Sequence, residues 1–559
     1  MNNLYQHKYF NGLVNRLFFL CSFILSSLLF LNQTVAAQAI EKKIFRYNQT
    51  GGLTSLDPAF ANKRANIWAV TQLYNGLFRF GRSNRVKPAL VHKWEVTEDG
   101  KTYTFRIKKG IKFHDSEVFP NGKGRELIAA DFVYSYRRIL DKKTQSPGAW
   151  IFKDKVLRNS DQSISDTCFQ AQDRYTFKIY LNQRFRPLTQ ILAMPYALVV
   201  PQEAVKKYGK DFGKHPVGTG AFRFDSWTLQ KNLVFKKNPQ YWKFNYEGKK
   251  LPLIDEVHIS FVEDRRKAFK LFTKGKLDFI TGIVENGADL LLNENGTVKT
   301  KWLGKFTVEK VPYMNTEYVG FTFDHPAEKK IWTNKKLRLA MSYAIDRQGL
   351  VKHLRHQVGI PGHFGVVPQV ISYSTHASGY AYNIIKARKL LADAGYPAGK
   401  GLPTLTLHTY VADQKLAEYL QSQWNYIGLN VKIATEKFAQ HQQKVDGGNA
   451  GMFRASWLGD YPDPENYLAL FYSKNFSPVG PNKTHYQNPK FDDLFEEART
   501  SKNLFTRYTD YRKMDQIIMD EAVVIVLYYD ENMWLKQNYI QGLETNPMNN
   551  LHLENVSIK

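Results

Sequence analysis

The hydrophobic positions of this chain recur with two periods that alternate along most of its length. Short segments that are apolar throughout or at every second position are typical of strands. These predicted strands are Ile44–Asn48, Leu77–Phe80, Thr102–Ile107, Tyr175–Leu181, Ile254–Phe261, Tyr318–Phe323, Thr404–His408, Leu429–Ala434 and Val523–Tyr529. Longer segments with apolar residues three or four apart are typical of helices. They are Ala65–Tyr74, Ala130–Leu140, Arg265–Thr273, Lys335–Ile345, Ile384–Ala394, Asp413–Ile427 and Thr506–Glu521. Strands that alternate with helices predict mixed α/β domains.

Turn residues show how some of these segments connect. Asp99-Gly100 separates Trp94–Val96 from Thr102–Ile107, and this dipeptide predicts a tight hairpin. The glycines of Val217–Phe224 look like a phosphate-binding loop at first sight. No Gly-Lys-Ser/Thr sequence follows them, however, and the next pattern is that of a strand rather than a helix. We therefore predict a glycine turn that does not bind phosphate.

The stretch from Phe453 to Pro464 joins a strand pattern to a turn. Its first five residues alternate, and Gly459 and two prolines then end the regular structure. Asp460 follows just beyond the indole of Trp457. A carboxylate beside an aromatic ring can hold an ammonium group by an ion pair and a cation–π contact. The other interpretation is an Asx-type turn in which Asp460 caps backbone amides, and the local pattern leaves both open.

The N-terminal residues have the pattern of an export signal. Lys8 and Arg16 precede the apolar run Leu17–Leu31, and small residues at Ala37–Ala39 follow it. This arrangement predicts a cleavable signal peptide over residues 1–39, with an uncleaved anchor as the alternative. No other run is apolar enough to span a membrane, so we expect a soluble protein in the periplasm.

Composition narrows the classes of function. The chain has 559 residues, too many for a single core, and a formal net charge of +27. Its basic residues are spread along the chain without a nucleic-acid-binding motif, so nucleic acid is not an expected partner. The two cysteines are Cys21, inside the predicted signal peptide, and Cys168, and no Cys/His spacing suits a metal. We expect no intrachain disulfide, no metal and no other cofactor.

Seven short motifs occur in order behind the predicted signal peptide. They are Ser55-Leu56-Asp57-Pro58; Trp94-Glu95-Val96 with Asp99-Gly100 and Thr102-Tyr103-Thr104-Phe105; Asp131-Phe132-Val133-Tyr134-Ser135; Gly218-Thr219-Gly220-Ala221-Phe222; Asn238-Pro239-Gln240-Tyr241-Trp242; Arg338-Leu339-Ala340 with Ala344-Ile345-Asp346-Arg347; and Trp457-Leu458-Gly459-Asp460-Tyr461-Pro462-Asp463-Pro464. Each motif alone is weak. Together they resemble the extracytoplasmic solute-binding proteins of the peptide/nickel class, family 5 of the ABC importers. The pattern is most similar to the periplasmic oligopeptide- and dipeptide-binding proteins of that family.

The resemblance implies an α/β, two-lobed periplasmic binding protein of type II, cluster C, with a hinge between its lobes. Residues 40–76, 77–213 and 214–314 would form the first lobe, and the middle segment would be an extra inserted subdomain. Residues 315–526 would form the second lobe, and residues 527–559 would return to the first. The chain would cross between lobes near Val311–Tyr318 and Val526–Asp530, which would let the lobes close over a ligand.

The resemblance also implies which residues bind the ligand. In the peptide-binding relatives the aspartate of a Trp-x-x-Asp pattern binds the α-ammonium of the peptide, and Asp460 occupies that position. The backbone of Trp457–Gly459 would pair with an extended peptide, as in strand addition. Arg454 matches a basic residue that can meet a ligand carboxylate, although a structural salt bridge is the alternative. The complete predicted set is Asn62, Trp150, Tyr318, Arg454, Ser456, Trp457, Leu458, Gly459 and Asp460.

Two departures from the family pattern leave the length of the ligand open. Asn62 stands where the oligopeptide-binding branch often has an acid facing the cleft, and Leu458 stands where some relatives have a disulfide cysteine. The implied function is capture of peptides by a monomer that delivers them to an inner-membrane ABC permease. The same fold binding a metal chelate, an opine or a sugar is one alternative. An exported hydrolase using Asp460, Asp463 or Glu465 is another, although no nucleophile elbow or metalloprotease motif accompanies these carboxylates.

Overall fold

The computed structural model describes residues 42–283, 287–371 and 377–559, and the predicted signal peptide of residues 1–39 lies outside this part of the chain. The strands are β1 (Ile44–Asn48), β2 (Phe78–Phe80), β3 (Val86–Pro88), β4 (Val91–Val96), β5 (Thr102–Ile107), β6 (Phe169–Asp173), β7 (Thr176–Tyr180), β8 (Phe222–Thr228), β9 (Asn232–Lys237), β10 (Glu256–Ser260), β11 (Phe279–Thr281), β12 (Phe306–Phe321), β13 (Ile360–Pro361), β14 (Leu405–Tyr410), β15 (Val431–Glu436), β16 (Met452–Leu458), β17 (Val524–Gln537), β18 (Ile540–Gln541) and β19 (Ser557–Ile558).

The helices lie between these strands. They are α1 (Arg64–Leu73), α2 (Ala129–Leu140), α3 (Trp150–Lys153), α4 (Leu188–Ile191), α5 (Gln202–Tyr208), α6 (Arg265–Thr273), α7 (Ala288–Leu291), α8 (Lys329–Trp332), α9 (Lys335–Tyr343), α10 (Arg347–Arg355), α11 (Ile384–Asp393), α12 (Gln414–Asn425), α13 (Phe438–Asp446), α14 (Glu465–Leu468), α15 (Pro489–Thr500) and α16 (Leu504–Asp520). Within the described ranges, none of the helices combines the length and the apolar character that crossing a membrane requires.

One mixed sheet contains strands from both ends of the chain. Its strand order is β15-β14-β16-β12-β17-β11-β1-β10-β9-β8, with β13 attached to β17. The two long central strands, β12 and β17, pair antiparallel, and their register shifts between Pro312 and Thr316. This irregularity divides the ladder into two segments, because the bulged residues have no direct partner. The sheet therefore has two halves, and β12 and β17 pass through both.

The first half of the sheet packs around large aromatic side chains. The ring of Trp68 on α1 lies against Tyr47 on β1 and Phe279 on β11, with centroid separations of 5.9 Å and 6.0 Å. The rings of Phe279 and Trp534 are 4.7 Å apart in an edge arrangement, a geometry that adds about 0.5–1.5 kcal/mol per pair beyond burial. Helix α6 covers the other face and buries Phe272. This half of the sheet therefore lies between two helices and has a hydrophobic core on each of its faces.

The second half of the sheet carries helices on both of its faces. Helices α9 to α12 pack against one face, where Val319 and Ile525 are buried. Helices α14 to α16 pack against the other face, where Tyr318 and Phe453 are buried. Neighbouring residues of β12 thus point into different cores, as the period of two requires.

A smaller antiparallel sheet, β4-β5-β7-β6, lies in the segment between α1 and β8. The predicted turn joins β4 to β5, and Gly100 there has φ = +70°, a conformation that glycine adopts at little cost. Helix α2 packs on this sheet through Phe132 and Tyr136, whose rings each lie 5.6 Å from that of Phe177. These residues are continuous with the core of the first half.

Most of the predicted elements are present, and β1 and α6 have the predicted bounds. The main difference is the length of the central strands, because the predicted strands beginning at Tyr318 and Val523 are only parts of β12 and β17. Polar residues and Pro312 interrupt the apolar alternation in the remainder. The glycine turn before β8 is also as predicted. A Cβ at Gly218 or Gly220 would overlap the backbone at the end of α1, so these residues allow close packing.

Candidate ligand-binding cleft

Strand β16 has an open edge near its C-terminal end, beyond Arg454, whose carbonyl accepts a hydrogen bond from His441 Nε2 at 2.9 Å. It pairs with β12 from Met452 to Leu458, but β14 on its other side pairs only with Met452 and Phe453. No described strand continues that side of the ladder beyond Phe453. Ser456 is exposed, and Leu458 is 48% exposed. An extended chain could therefore add to the sheet here, since unpaired strand edges are templates for strand addition.

The turn after β16 is held by two side chains. The amide of Gly459 and the hydroxyl of Tyr467 each donate to the carbonyl of Met314 at 2.7 Å. A Cβ at position 459 would lie 2.5 Å from the Tyr467 hydroxyl oxygen. Gly459 is thus required by close packing. Asn466 Oδ1 accepts from Trp457 Nε1 at 2.9 Å and from the Asp460 amide at 3.0 Å, which fixes the indole beside the aspartate.

Asp460 lies in a setting that disfavours its charge. Burial raises the pKa of the Asp460 carboxyl to about 6, opposed by the side-chain amide of Asn466 and by the charge of Lys155. No described backbone amide donates to this carboxylate, which the Asx-turn interpretation would require. Asp463 does act in that way, because its Oδ1 accepts from the Glu465 amide at 3.0 Å where α14 begins. The Asp460 carboxylate is therefore available to a cation.

Residues of the first half form the wall opposite this turn. The rings of Trp150 and Tyr461 stack with centroids 6.5 Å apart, and Tyr461 belongs to the core of the first half. Lys155 Nζ donates to the Trp150 carbonyl at 3.0 Å. Burial lowers the pKa of Lys155, although the carboxylates of Glu465 and, more weakly, Asp460 raise it. The two halves thus meet around Asp460 through the contact of Trp150 with Tyr461 and through the half-buried Lys155.

A cavity of about 700 Å³ lies between the two halves, next to β12 and β17. Most of its lining is charged or aromatic. The lining residues are Arg64, Arg265, Gly282, Tyr313, Glu317, Leu350, Leu354, Arg355, Tyr410, Ala412, Asp413, Lys415, Leu416, Arg454, Tyr528, Asp530, Glu531, Asn532 and Met533. Tyr410 and Asp413 lie where β14 ends, so the cavity begins beside the open edge of β16. A volume of this size suits a small ligand.

Arg454 is the member of the predicted set that lines this cavity, and its charge is already matched. Its guanidinium pairs with Glu317 and, at 2.5 Å, with Asp413 Oδ2, and it donates to the Tyr410 hydroxyl at 2.7 Å. Burial lowers the pKa of Arg454, but the carboxylates of Glu317 and Asp413 outweigh it and hold this pKa above the ordinary value. Burial also raises the pKa of Glu317 to about 7, against the effect of Arg454. Arg454 is thus part of a buried ionic cluster.

The remaining predicted residues lie elsewhere. Tyr318 is buried in the core between the sheet and α14 to α16, and Asn62 is exposed in the loop before α1. The sequence reading did not select Arg64, Arg355 or Tyr410, which line the cavity. The signal for Arg64 was its position two residues after Asn62, just beyond a loop that the resemblance already placed at the cleft. No group of metal-ligating side chains occurs within residues 42–283, 287–371 and 377–559.

Two halves with separate cores, linked by two strands around a charged cavity, define a two-lobed solute-binding protein. The model of the family described as "Bacterial extracellular solute-binding proteins, family 5 Middle" matches residues 85–478, well over half of the chain. The chain belongs to this family. Members of the family bind solutes outside the cytoplasm and are not enzymes, so the hydrolase alternative is set aside.

Relatives and solved structures agree with this membership. The dipeptide-binding protein of Escherichia coli (strain K12) is 26% identical over 540 residues, which are 94% of this chain and 96% of that protein. The glutathione-binding protein GsiB of Shigella dysenteriae serotype 1 (strain Sd197) is 27% identical over 512 residues, 90% of this chain and 93% of that protein. The structure of a periplasmic oligopeptide-binding protein from Borrelia burgdorferi has a TM-score of 0.73 and 25% identity, and covers 93% of this chain and 100% of that one.

Replacing Arg454 with methionine tests the structural role of the ionic cluster. Glu317 and Asp413 would stay buried without their cation, so we expect a loss of about 3–5 kcal/mol in the free energy of unfolding at neutral to basic pH. When a carboxyl group has a higher pKa in the folded protein than in the unfolded chain, the free energy of unfolding decreases as pH rises through the folded pKa. Because the folded pKa of Glu317 is about 7, the loss should be smaller near pH 5, where this carboxyl is protonated.

Denaturant unfolding followed by circular dichroism at both pH values measures this difference. Arg82→Met is the matched control, because the Arg82 side chain is 74% exposed and lies 3.9 Å from Glu544. The control should change the unfolding free energy by less than about 0.5 kcal/mol. An equal loss for Arg454→Met at the two pH values would contradict the coupling to Glu317.

Proposed function

We propose that this protein captures peptides in the cleft between its lobes and delivers them, as a monomer, to an inner-membrane ABC permease. The observation that carries the proposal is the open edge of β16, which leads directly to Asp460. Pairing with that edge would hold the main chain of any extended peptide, and Asp460 would bind its α-ammonium group. The names of the relatives from Escherichia coli and Borrelia burgdorferi, which bind dipeptides and oligopeptides, support this ligand class.

The electrostatics of the turn support an ammonium site at Asp460. A carboxyl with a pKa near 6 is held in a poorly solvated place, where it gains more from a cation than it would in water. The indole of Trp457 and the phenol of Tyr461 would shield such an ion pair from solvent. Tyr467 and Asn466 hold the surrounding turn in one arrangement, so little ordering would be needed on binding.

The charged cavity also favours a second candidate, a small carboxylate-rich solute such as an opine or a metal chelate. Five basic and four acidic side chains line the cavity, and such a lining suits a polar ligand without a peptide main chain. Native mass spectrometry of the protein as purified separates the two, because the mass of a retained ligand identifies its class. A retained ligand that is not a peptide would favour this candidate.

The proposed lobes follow the two cores. We propose that residues 40–76, 77–213 and 214–314 form the first lobe, that residues 315–526 form the second, and that residues 527–559 complete the first. Met314 and Tyr529 pack in the core of the second half, and Met533 and Leu535 pack in that of the first, which supports crossings close to these boundaries. Strand segments that link two cores are suitable hinges, since a few residues can absorb the change of angle.

Removal of a signal peptide is the first expected outcome. We expect the mature protein to begin near Ile40, because Ala37–Ala39 supplies the small residues that a signal peptidase accepts. N-terminal sequencing of the protein recovered from the periplasm measures this directly. Recovery of the chain from a membrane fraction with Met1 retained would refute it.

Closure of the lobes on a ligand is the second expected outcome. Binding should favour the closed state, because the ligand contacts both lobes only there. Small-angle scattering with and without a captured peptide should show a smaller radius of gyration in the complex. An unchanged radius, with binding confirmed by calorimetry on the same sample, would count against the hinge.

The third expected outcome concerns the charge on Asp460. Asp460→Asn keeps the shape of the side chain and removes its charge, so a buried ammonium would lose its partner. This should cost about 2–5 kcal/mol in binding, or roughly 30- to 5,000-fold in affinity for free peptides. N-acetylated peptides lack the ammonium, so they should bind the wild type weakly and lose little more in the variant.

Calorimetric titration of both peptide forms against both proteins completes this cycle and isolates the interaction between Asp460 and the ammonium group. Asp463→Asn is a poor control, because Asp463 forms a buried ion pair with Arg507 at 2.9 Å. Asp166→Asn is better matched, because its side chain is fully exposed. Equal losses for free and acetylated peptides in Asp460→Asn would exclude Asp460 as the ammonium site.

A further inference from the structure

The charges that line the interlobe cavity are unequally matched. Arg454 is paired with Glu317 and Asp413, and Arg355 Nη2 lies 2.6 Å from Asp530 Oδ1. These contacts occupy three of the four acidic residues of the lining. The fourth, Glu531, accepts a hydrogen bond from the Gly359 amide at 2.9 Å. In each of these ion pairs, both the basic and the acidic residue therefore belong to the second lobe or to the crossing strands.

Arg64 is different, because no described residue of opposite charge pairs with its guanidinium. It is the first residue of α1, in the first lobe, and its side chain forms no hydrogen bond or ion pair with any residue of the described ranges. Its Nε is buried without a hydrogen-bond acceptor. Its one resolved contact is with the ring of Trp68, 5.7 Å from the guanidinium carbon. Trp68 is fully buried and donates to the Asn549 carbonyl at 2.6 Å, so the surface under Arg64 is fixed.

An unpaired guanidinium facing a cavity is a site for an anion. Buried polar groups are normally hydrogen-bonded, and a buried donor without an acceptor is unfavourable. The planar guanidinium also matches a carboxylate, to which it can donate two parallel hydrogen bonds. Lys415 lines the same cavity from the second lobe and forms no ion pair with the described residues, so it adds positive charge near the same space.

We propose that Arg64 binds a carboxylate group of the ligand, so that ligands bearing a carboxylate within reach of this arginine are selected over ligands without one. The inference rests on the proposed function and names the part of the peptide that the cavity recognises. The carboxylate has two possible sources, the C-terminus of the peptide or an aspartate or glutamate side chain. Arg64 and Asp460 then act at different parts of one ligand, because Asp460 does not line the cavity.

Capture from a defined peptide library tests the inference. The full-length mature protein is unfolded, stripped of ligand and refolded, and is then equilibrated with random peptides of two to five residues. Each peptide is present as the C-terminal acid and as the C-terminal amide, and the library contains glutamate and glutamine at equal frequency. Captured peptides are released by denaturation and counted by mass spectrometry.

The wild type should enrich carboxylate-bearing peptides by about tenfold to 100-fold, the range expected for one charged hydrogen-bonded contact. Enrichment of acids over amides identifies the C-terminus, and enrichment of glutamate over glutamine among the amides identifies a side chain. Arg64→Gln should abolish whichever enrichment is present, and Arg64→Lys should keep part of it, because lysine retains the charge but not the paired donors.

Arg82→Gln is the matched control, since it removes an arginine of the same lobe whose side chain is 74% exposed. It should leave the captured set unchanged. The inference is overturned if Arg64→Gln captures peptides with the same acid-to-amide and glutamate-to-glutamine ratios as the wild type. If the refolded wild type captures no peptide, both the inference and the proposed function are overturned. The wild-type sample alone therefore distinguishes failure of the proposed function from failure of the inference about Arg64.

Discussion

The pairing of β12 with β17 is the constraint on which the rest of the molecule depends. Val308 lies opposite Leu535 in the first half, and Val319 lies opposite Ile525 in the second. Both pairs point into cores, so a slip of one residue in either segment would turn a whole set of apolar side chains away from its core. The irregularity between Pro312 and Thr316 lets each segment keep its own register. The two cores can then be linked by the same two strands, while the sheet between them is not a single regular ladder.

The same arrangement explains the ionic cluster beside the crossing strands. Between the cores neither set of helices covers the ladder, and polar residues of the strands face the cavity instead. Asn315 Nδ2 donates to Glu317 Oε1 at 2.7 Å and to Asp530 Oδ2 at 2.5 Å. Buried carboxylates so close together need cations, which Arg454 and Arg355 supply. These two arginines are therefore committed to the ion pairs beside the crossing strands.

The sequence predicted what local pattern determines and missed what depends on distant partners. The bounds of β1 and α6 follow from their own periodicity, and the turn at Asp99-Gly100 follows from its chemistry. The full length of β12 could not be predicted, because the part around Pro312 is held by pairing with β17 rather than by an apolar pattern. Asp460 was selected through its motif, and its role in ligand binding stays a prediction. The pairing of Arg454 with Glu317 and Asp413 joins residues far apart in the chain, and no periodicity reports such a contact.

Under the proposed function, the two charged sites impose unequal demands on a ligand. Asp460 has a pKa of about 6, so a ligand without an ammonium group can leave it neutral by uptake of a proton at modest cost near neutral pH. Arginine side chains, in contrast, stay protonated in proteins. A closed cleft with no anion at Arg64 would keep a half-buried cation that no described residue pairs. The carboxylate end of the ligand is therefore the stricter requirement, and closure is favoured most by a ligand that carries it.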